Sequence, residues 1–172
     1  MKKKIIFHIF LVTILFIVLV LDNFLFSLTQ TIRSEALDKF FSVFLLFQQE
    51  PYFEIWIVFF VFLLLFKKRK RDFLKFLISF FITAALVLLL KKVIARPRPF
   101  SAGKGSFPSG HAALLFVTFH FMGGRKKIFW YFFVFILVFT RVYFGFHFYS
   151  DIIASFLISE LVSFFVKKCK SP

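Results

Sequence analysis

Six apolar runs, each closed off by charged residues or by glycine and proline, make up most of this 172-residue chain. They cover approximately residues 5–21, 52–66, 73–90, 109–122, 128–144 and 148–166. An α-helix rises about 1.5 Å per residue and the hydrocarbon layer of a bilayer is about 30 Å thick, so a crossing takes about 17–25 residues. Four runs are long enough, 52–66 is borderline, and 109–122 reaches only about 21 Å. With 60% hydrophobic residues and a mean hydropathy of +0.90, the chain has more apolar surface than a soluble domain of this size can bury. The spacing therefore predicts an all-α bundle of six transmembrane helices in a single domain over residues 1–172. A cytosolic enzyme, a secreted disulfide scaffold and a disordered chain are excluded, and the lone Cys169 leaves no internal disulfide to form.

A formal net charge of +15 invites a nucleic-acid reading. The basic residues, however, fall in short blocks between apolar runs, which is a topology signal, so no nucleic-acid partner is expected. Lys2, Lys3 and Lys4, the 67–71 block with Lys75, Arg125, Lys126 and Lys127, and finally Lys167, Lys168 and Lys170 all fall on one side of an even-numbered bundle. The positive-inside rule makes that side cytoplasmic, with both termini on it. The cations of the 91–104 stretch and Arg141 then face outward, against the topogenic preference, and a bound anion is the simplest reason for them. The first run resembles a signal peptide, but it is longer than an ordinary one and Asp22-Asn23-Phe24 offers no small-residue cleavage site, so an uncleaved first helix is expected. Residues 23–50 mix polar and apolar positions at helical spacing, which predicts a short amphipathic helix on the outer surface between the first two spans.

Three stretches stand out against this background: Lys91 to Pro99, Pro108-Ser109-Gly110-His111, and Thr140-Arg141 followed by His147 and Asp151. The topology brings all three to the outer ends of spans three to six. Lys91, Arg98 and Arg141 supply fixed cations, and arginine grips phosphate oxygens two at a time. Pro108-Ser109-Gly110 reads as a helix start, with Ser109 as cap and Gly110 admitting a close ligand; free N–H groups there form an anion site. His147 and Asp151 are four residues apart and share a helix face. A carboxylate that fixes the imidazole tautomer leaves the other nitrogen as a nucleophile. His111 would give a proton to the leaving oxygen and then activate a water. The eight acidic residues form no cluster in the sequence, so neither a metal nor another cofactor is expected.

This constellation resembles the type-2 phosphatidic acid phosphatase superfamily. Its signature is Lys, six residues, Arg-Pro; then Pro-Ser-Gly-His; then Ser-Arg, five residues, His, three residues, Asp. The chain has Lys91 and Arg98-Pro99, an intact Pro108 to His111, and Arg141, His147 and Asp151 at those spacings; Thr140 replaces the usual serine and keeps the hydroxyl. The resemblance implies a six-helix membrane hydrolase with a phosphohistidine on His147. His111 would be acid then base, Asp151 the orienting carboxylate, and Lys91, Arg98, Ser109, Gly110 and Arg141 the phosphate cradle. It further implies a bacterial inner-membrane protein whose partners are the bilayer and a lipid phosphate. Only eight residues separate Pro99 from Pro108, which leaves the pocket without a large lid and its mouth open to a bulky head group. Compact size and Lys/Phe-rich composition resemble small lipid A 1-phosphatases; phosphatidylglycerol phosphate, undecaprenyl pyrophosphate and phosphatidic acid are the alternatives. A lipid-phosphate binder or transporter would need the cations without the His147–Asp151 pair, and no internal repeat speaks for a transporter. The sequence carries no signal for an oligomeric state.

Other residues receive plainer readings. Lys92, Arg96 and Lys104, which the signature does not require, are expected to face solvent or head groups. His8 and His120 are read as packing or interfacial residues. Glu160, an acid inside the last span, calls for a cytoplasmic lysine or a polar group in the bundle as partner. The phenylalanines are read as lipid-facing and core filler.

Overall fold

The structure, a computed structural model, describes residues 2–49, 52–65, 70–100, 103–122 and 127–169. The side chains of residues 2–5, the basic stretch 67–69, Arg125, Lys126 and Lys170 lie outside this description, and with them most of the blocks read as cytoplasmic. The chain is all-α. Its helices are α1 (Lys2–Thr31), α2 (Glu35–Leu46), α3 (Tyr52–Leu65), α4 (Lys70–Ile94), α5 (Gly110–Phe119), α6 (Lys127–Tyr143) and α7 (Tyr149–Lys168). Among the described residues, three stretches are long and apolar enough to cross a membrane: Ile6–Thr31, Lys70–Ile94 and Tyr149–Lys168.

Two boundaries differ from the sequence reading. The first helix does not stop near Leu21 but continues to Thr31, because Asp22 and Thr29 turn inward to partners on α7 instead of outward to water: Ser150 N donates to Asp22 Oδ1, and Thr29 Oγ1 lies 2.7 Å from Tyr149 Oη. The separate short helix is therefore only Glu35–Leu46. Ser34 caps it, accepting from Leu37 N at 3.3 Å, and Glu35 and Asp38 sit in its first turn, where the helix dipole favours acids. None of its residues is buried. Asp38 accepts from Tyr143 Oη at 2.7 Å and pairs with Arg33 at 2.9 Å, which ties the start of α2 to the C-terminal end of α6.

The second difference is α5. At ten residues it is about 15 Å long, and every residue from His111 to Thr118 is buried. It is a core helix, packed against α4, α6 and α7. Its Leu115 and Val117 cluster with Phe53, Ile57, Val61, Phe76 and Val134, all without contact with solvent. Small polar residues let the neighbouring backbones come close: Ser79 and Thr83 on α4, and Ser155, Ser159 and Ser163 at four-residue spacing on α7, are all fully buried. The lipid-sized belt outside is apolar, with Ile9, Phe16, Val20, Phe59, Leu88 and Phe132 exposed.

Candidate active site

Each predicted site residue lies at a helix end or in a connection at one end of the bundle. Lys91 is in the last turn of α4. Beyond Ile94 the chain leaves the helix through Ala95, whose φ of 46° is in the left-handed region. Arg96 O then accepts from Gly105 N at 2.8 Å and from Ser106 N at 3.0 Å, closing the connection that carries Arg98. Gly105 needs its φ of 82° to make that return, and its carbonyl accepts from Lys91 Nζ. The connection is docked on the α6–α7 turn, with Phe100 N donating to Gly145 O at 3.2 Å. Gly145 has φ 71°, and an added Cβ would come within 2.3 Å of the Phe100 ring.

Ser109 caps α5 from an extended conformation. Its own backbone is tied to α7, with Ser109 N donating to Asp151 O at 3.3 Å and Ser155 Oγ donating to Ser109 O at 2.8 Å. A Cβ on Gly110 would meet Val87 and Lys91 only at 3.6 and 3.9 Å, so protein packing alone does not demand glycine there. His111 lies in the first turn of α5, its ring 4.3 Å from that of Phe53. Its Nε2 is 3.0 Å from Gln48 O. A carbonyl only accepts, so Nε2 carries the hydrogen. Gln48 is itself held by its side-chain amide, which donates to Thr140 Oγ1 at 2.8 Å and Leu137 O at 3.1 Å.

Arg141 lies in the last turn of α6, buried, its guanidinium 4.4 Å from the Phe146 ring centre. Its carbonyl accepts from Phe146 N and His147 N, which folds the turn back and presents His147. His147 is buried to 1% exposure, and its Nδ1 stands 3.4 Å from Asp151 Oδ2. The contact is off-line for a full hydrogen bond. Burial pulls the His147 imidazole down to about 4; the Asp151 carboxylate opposes that shift and the Arg141 cation adds to it. The resting ring is therefore neutral at neutral pH, with Nδ1 toward the carboxylate and Nε2 directed away from it.

Lys91, Arg98, Gly110, His111, Arg141 and His147 line one cavity of about 650 Å³. Arg98 Nε is buried with no hydrogen-bond partner among the described residues, a donor suited to an anion in that space. A second, almost wholly apolar groove of about 460 Å³ runs between α3 and α4, and Glu54, Phe80 and Phe81 border both spaces. Ser109 and Asp151 do not line the cavity; they stand behind it. Among the described residues no three of His, Cys, Asp and Glu group as metal ligands.

One expectation is corrected. Arg96 does not face solvent or head groups: its Nη1 donates to Asp151 Oδ1 at 2.9 Å and its Nη2 to Asp22 Oδ2 at 2.9 Å. Lys92 and Lys104 are exposed, as expected. Glu160 has its polar neighbour in His120, Nε2 to Oε2 at 3.2 Å. Sequence reasoning missed Arg96, Asp22 and Gln48. Asp22 had a usable signal, an acid at the edge of an apolar helix, where an unpaired carboxylate is costly; Gln48, which acts through its carbonyl, had none.

The PAP2 superfamily model matches residues 72–172, more than half of the chain. The chain belongs to the PAP2 superfamily. Two solved PAP2-fold structures resemble it. One is LpxE of Aquifex aeolicus, 25% identical, with a TM-score of 0.73 over 86% of this chain and 95% of that one. The other is a transmembrane PAP2-type phosphatidylglycerolphosphate phosphatase of Bacillus subtilis, 23% identical, with a TM-score of 0.72 over 96% of this chain and 93% of that one. No curated protein matches the sequence significantly. The superfamily match begins after α3, so Asp22 and Gln48 lie outside it while the three signature stretches lie within it.

Proposed function

We propose that this PAP2 protein is a multi-pass membrane lipid phosphatase that hydrolyses a phosphomonoester on a lipid head group through a phosphohistidine on His147. The supporting observation is the cavity shared by two histidines and three cations, with Asp151 behind one histidine and an apolar groove leading off sideways. The groove suits an acyl chain, as the cationic cavity suits its phosphate.

In this reading His147 Nε2 attacks phosphorus and the bond to the lipid oxygen breaks. Asp151 stabilises the positive charge that develops on the ring. As the negative charge of the phosphate enters the cavity, His111 takes up a second proton; it keeps Nε2–H on the Gln48 carbonyl and gives the Nδ1 proton to the departing oxygen. The same nitrogen then takes a proton from the water that attacks the phosphohistidine, releasing inorganic phosphate and neutral His147. Lys91, Arg98, Arg141 and the N–H groups at the start of α5, where Ser109 and Gly110 sit, neutralise the equatorial oxygens, a task that needs no metal here.

The whole chain acts as one domain, with α1, α3, α4, α5, α6 and α7 as six crossings and α2 along the outer surface. α5 crosses only together with the loops that flank it. Both termini are cytoplasmic and the cavity opens on the outer face of a bacterial inner membrane. Lipid A 1-phosphate is the proposed substrate, on the eight residues between Pro99 and Pro108, too few for a large lid, and on the likeness to LpxE. Phosphate release should be measured in detergent, with chelator, from lipid A, phosphatidylglycerol phosphate, undecaprenyl pyrophosphate and phosphatidic acid side by side. Release fastest from lipid A and abolished by His147→Ala supports the reading. Binding without turnover would make the protein a lipid-phosphate binder or transporter, and full activity of His147→Ala would remove the phosphohistidine.

A further inference from the structure

Behind Asp151 lies a buried charge cluster that the superfamily signature does not contain. Arg96 bridges two carboxylates, Asp151 from α7 and Asp22 from α1, at 2.9 Å each. Both carboxylates are almost fully buried, the side chains of Asp22 and Asp151 being 3% and 0% exposed. The guanidinium lies over the Phe148 ring, 4.2 Å from its centre, a contact that helps keep it between them. Nη1 also donates to Ser150 Oγ at 2.7 Å, and Ser150 in turn donates from its backbone and its hydroxyl to Asp22. Asp151 thus has its two oxygens on different errands: Oδ1 takes Arg96, while Oδ2 takes Phe148 N at 2.8 Å and faces His147 Nδ1.

We infer that Asp22 and Arg96 are positioning residues for catalysis, acting through Asp151: together they hold its carboxylate in place and oriented against His147. Two properties of the cluster support this, and both rest on the phosphatase reading. First, a buried carboxylate keeps one orientation only while both oxygens have donors; Arg96 supplies the donor to Oδ1, which leaves Oδ2 turned toward His147. Second, a guanidinium alone would cancel the negative charge that the His147 cation needs. Asp22 restores it, since two carboxylates around one guanidinium leave a net charge of −1. Neither Arg96 nor Asp22 lines the cavity, so their influence runs through Asp151 and not through substrate. The first membrane helix, outside the matched superfamily region, then belongs to the catalytic apparatus.

A double-mutant cycle tests this on detergent-solubilised full chain, with Asp22→Asn and Arg96→Met each made alone and on an Asp151→Asn background, and kcat and KM measured on the best of the four lipids. Acting through Asp151, each single variant lowers kcat by about tenfold or more with KM within about twofold, and on the Asp151→Asn background each costs less than about twofold further. Asp22→Asn keeps the shape and one acceptor oxygen, so it decides the matter should Arg96→Met fail to give a monodisperse, cooperatively melting protein; Arg96→Lys, which keeps the charge, should recover part of kcat. Wild-type kcat in Asp22→Asn, or losses that add in full to that of Asp151→Asn, would overturn the inference while leaving the phosphatase intact. A wild-type chain that releases phosphate from none of the lipids would instead overturn the phosphatase reading, and the inference with it.

Discussion

Asp151 meets His147 across one helical turn, Oδ2 to Nδ1 at 3.4 Å, at the point where α6 gives way to α7. The carboxylate is fully buried and fixed from its other side, so it has no freedom to leave the ring. Asp151→Asn keeps the shape but removes the charge that selects the tautomer and stabilises the imidazolium. A fall in kcat of about 10²- to 10⁴-fold is expected, in a chain that still melts cooperatively but at a lower temperature, because Arg96 loses one of its two carboxylates. Phosphate-release kinetics beside thermal melting checks both halves of the statement.

The neutral state of His147 has a consequence for stability. Its folded value of about 4 lies below the ordinary 6.5, so between these limits the unfolded chain binds a proton that the folded chain refuses. Stability therefore rises with pH from about 4 to about 6.5 and is lost on acidification through that window. Melting temperatures at pH 4.5 and 6.5 should differ less in His147→Asn than in the wild type. An equal difference would mean that His147 is not held neutral.

Gln48 holds His111 from outside the signature. Gln48→Ala removes the amide hydrogen bonds to Thr140 Oγ1 and Leu137 O and frees the segment whose carbonyl receives His111 Nε2. Loss of about 1–2 kcal/mol of orientation predicts about a tenfold lower kcat. Gln48 also lines the cavity, but its amide nitrogen is taken by Thr140 and Leu137, so kcat should change more than KM. Steady-state kinetics on the preferred lipid reads this.

Gly145 is the contact between the Arg98 connection and the His147 turn. Its alanine variant combines an unfavourable positive φ with a collision against Phe100, and a loss of about 1–3 kcal/mol is expected. The melting temperature of Gly145→Ala in detergent should fall accordingly.

The proposed charge neutralisation by Lys91, Arg98 and Arg141 in place of a metal predicts that phosphate release survives exhaustive chelation. Orthovanadate, which mimics the phosphoryl transition state, should inhibit competitively with the lipid. Activity restored only by an added divalent ion would contradict the cation assignment.

The sequence by itself determined the material of this protein and the shortlist of its chemistry. Apolar runs bounded by charge set where helices form, because hydrogen-bonded helix is the form in which a lone apolar segment satisfies its backbone in lipid. The spacing of His147 and Asp151 is a one-turn relationship and so was legible along the chain. Relationships between helices were not. Nothing in the local pattern says that Asp22 and Arg96, 74 positions apart, meet beside Asp151, or that a carbonyl at Gln48 receives His111. Such pairings depend on which helix faces pack together, and the packing follows from the close approach that small residues such as Ser155 and Ser159 allow. Tertiary structure decided also that α5 is a core helix and that α1 runs on past Asp22. An isolated apolar segment carries no record of what will surround it, and a charge is tolerated inside a helix only once its partner has arrived from elsewhere in the fold.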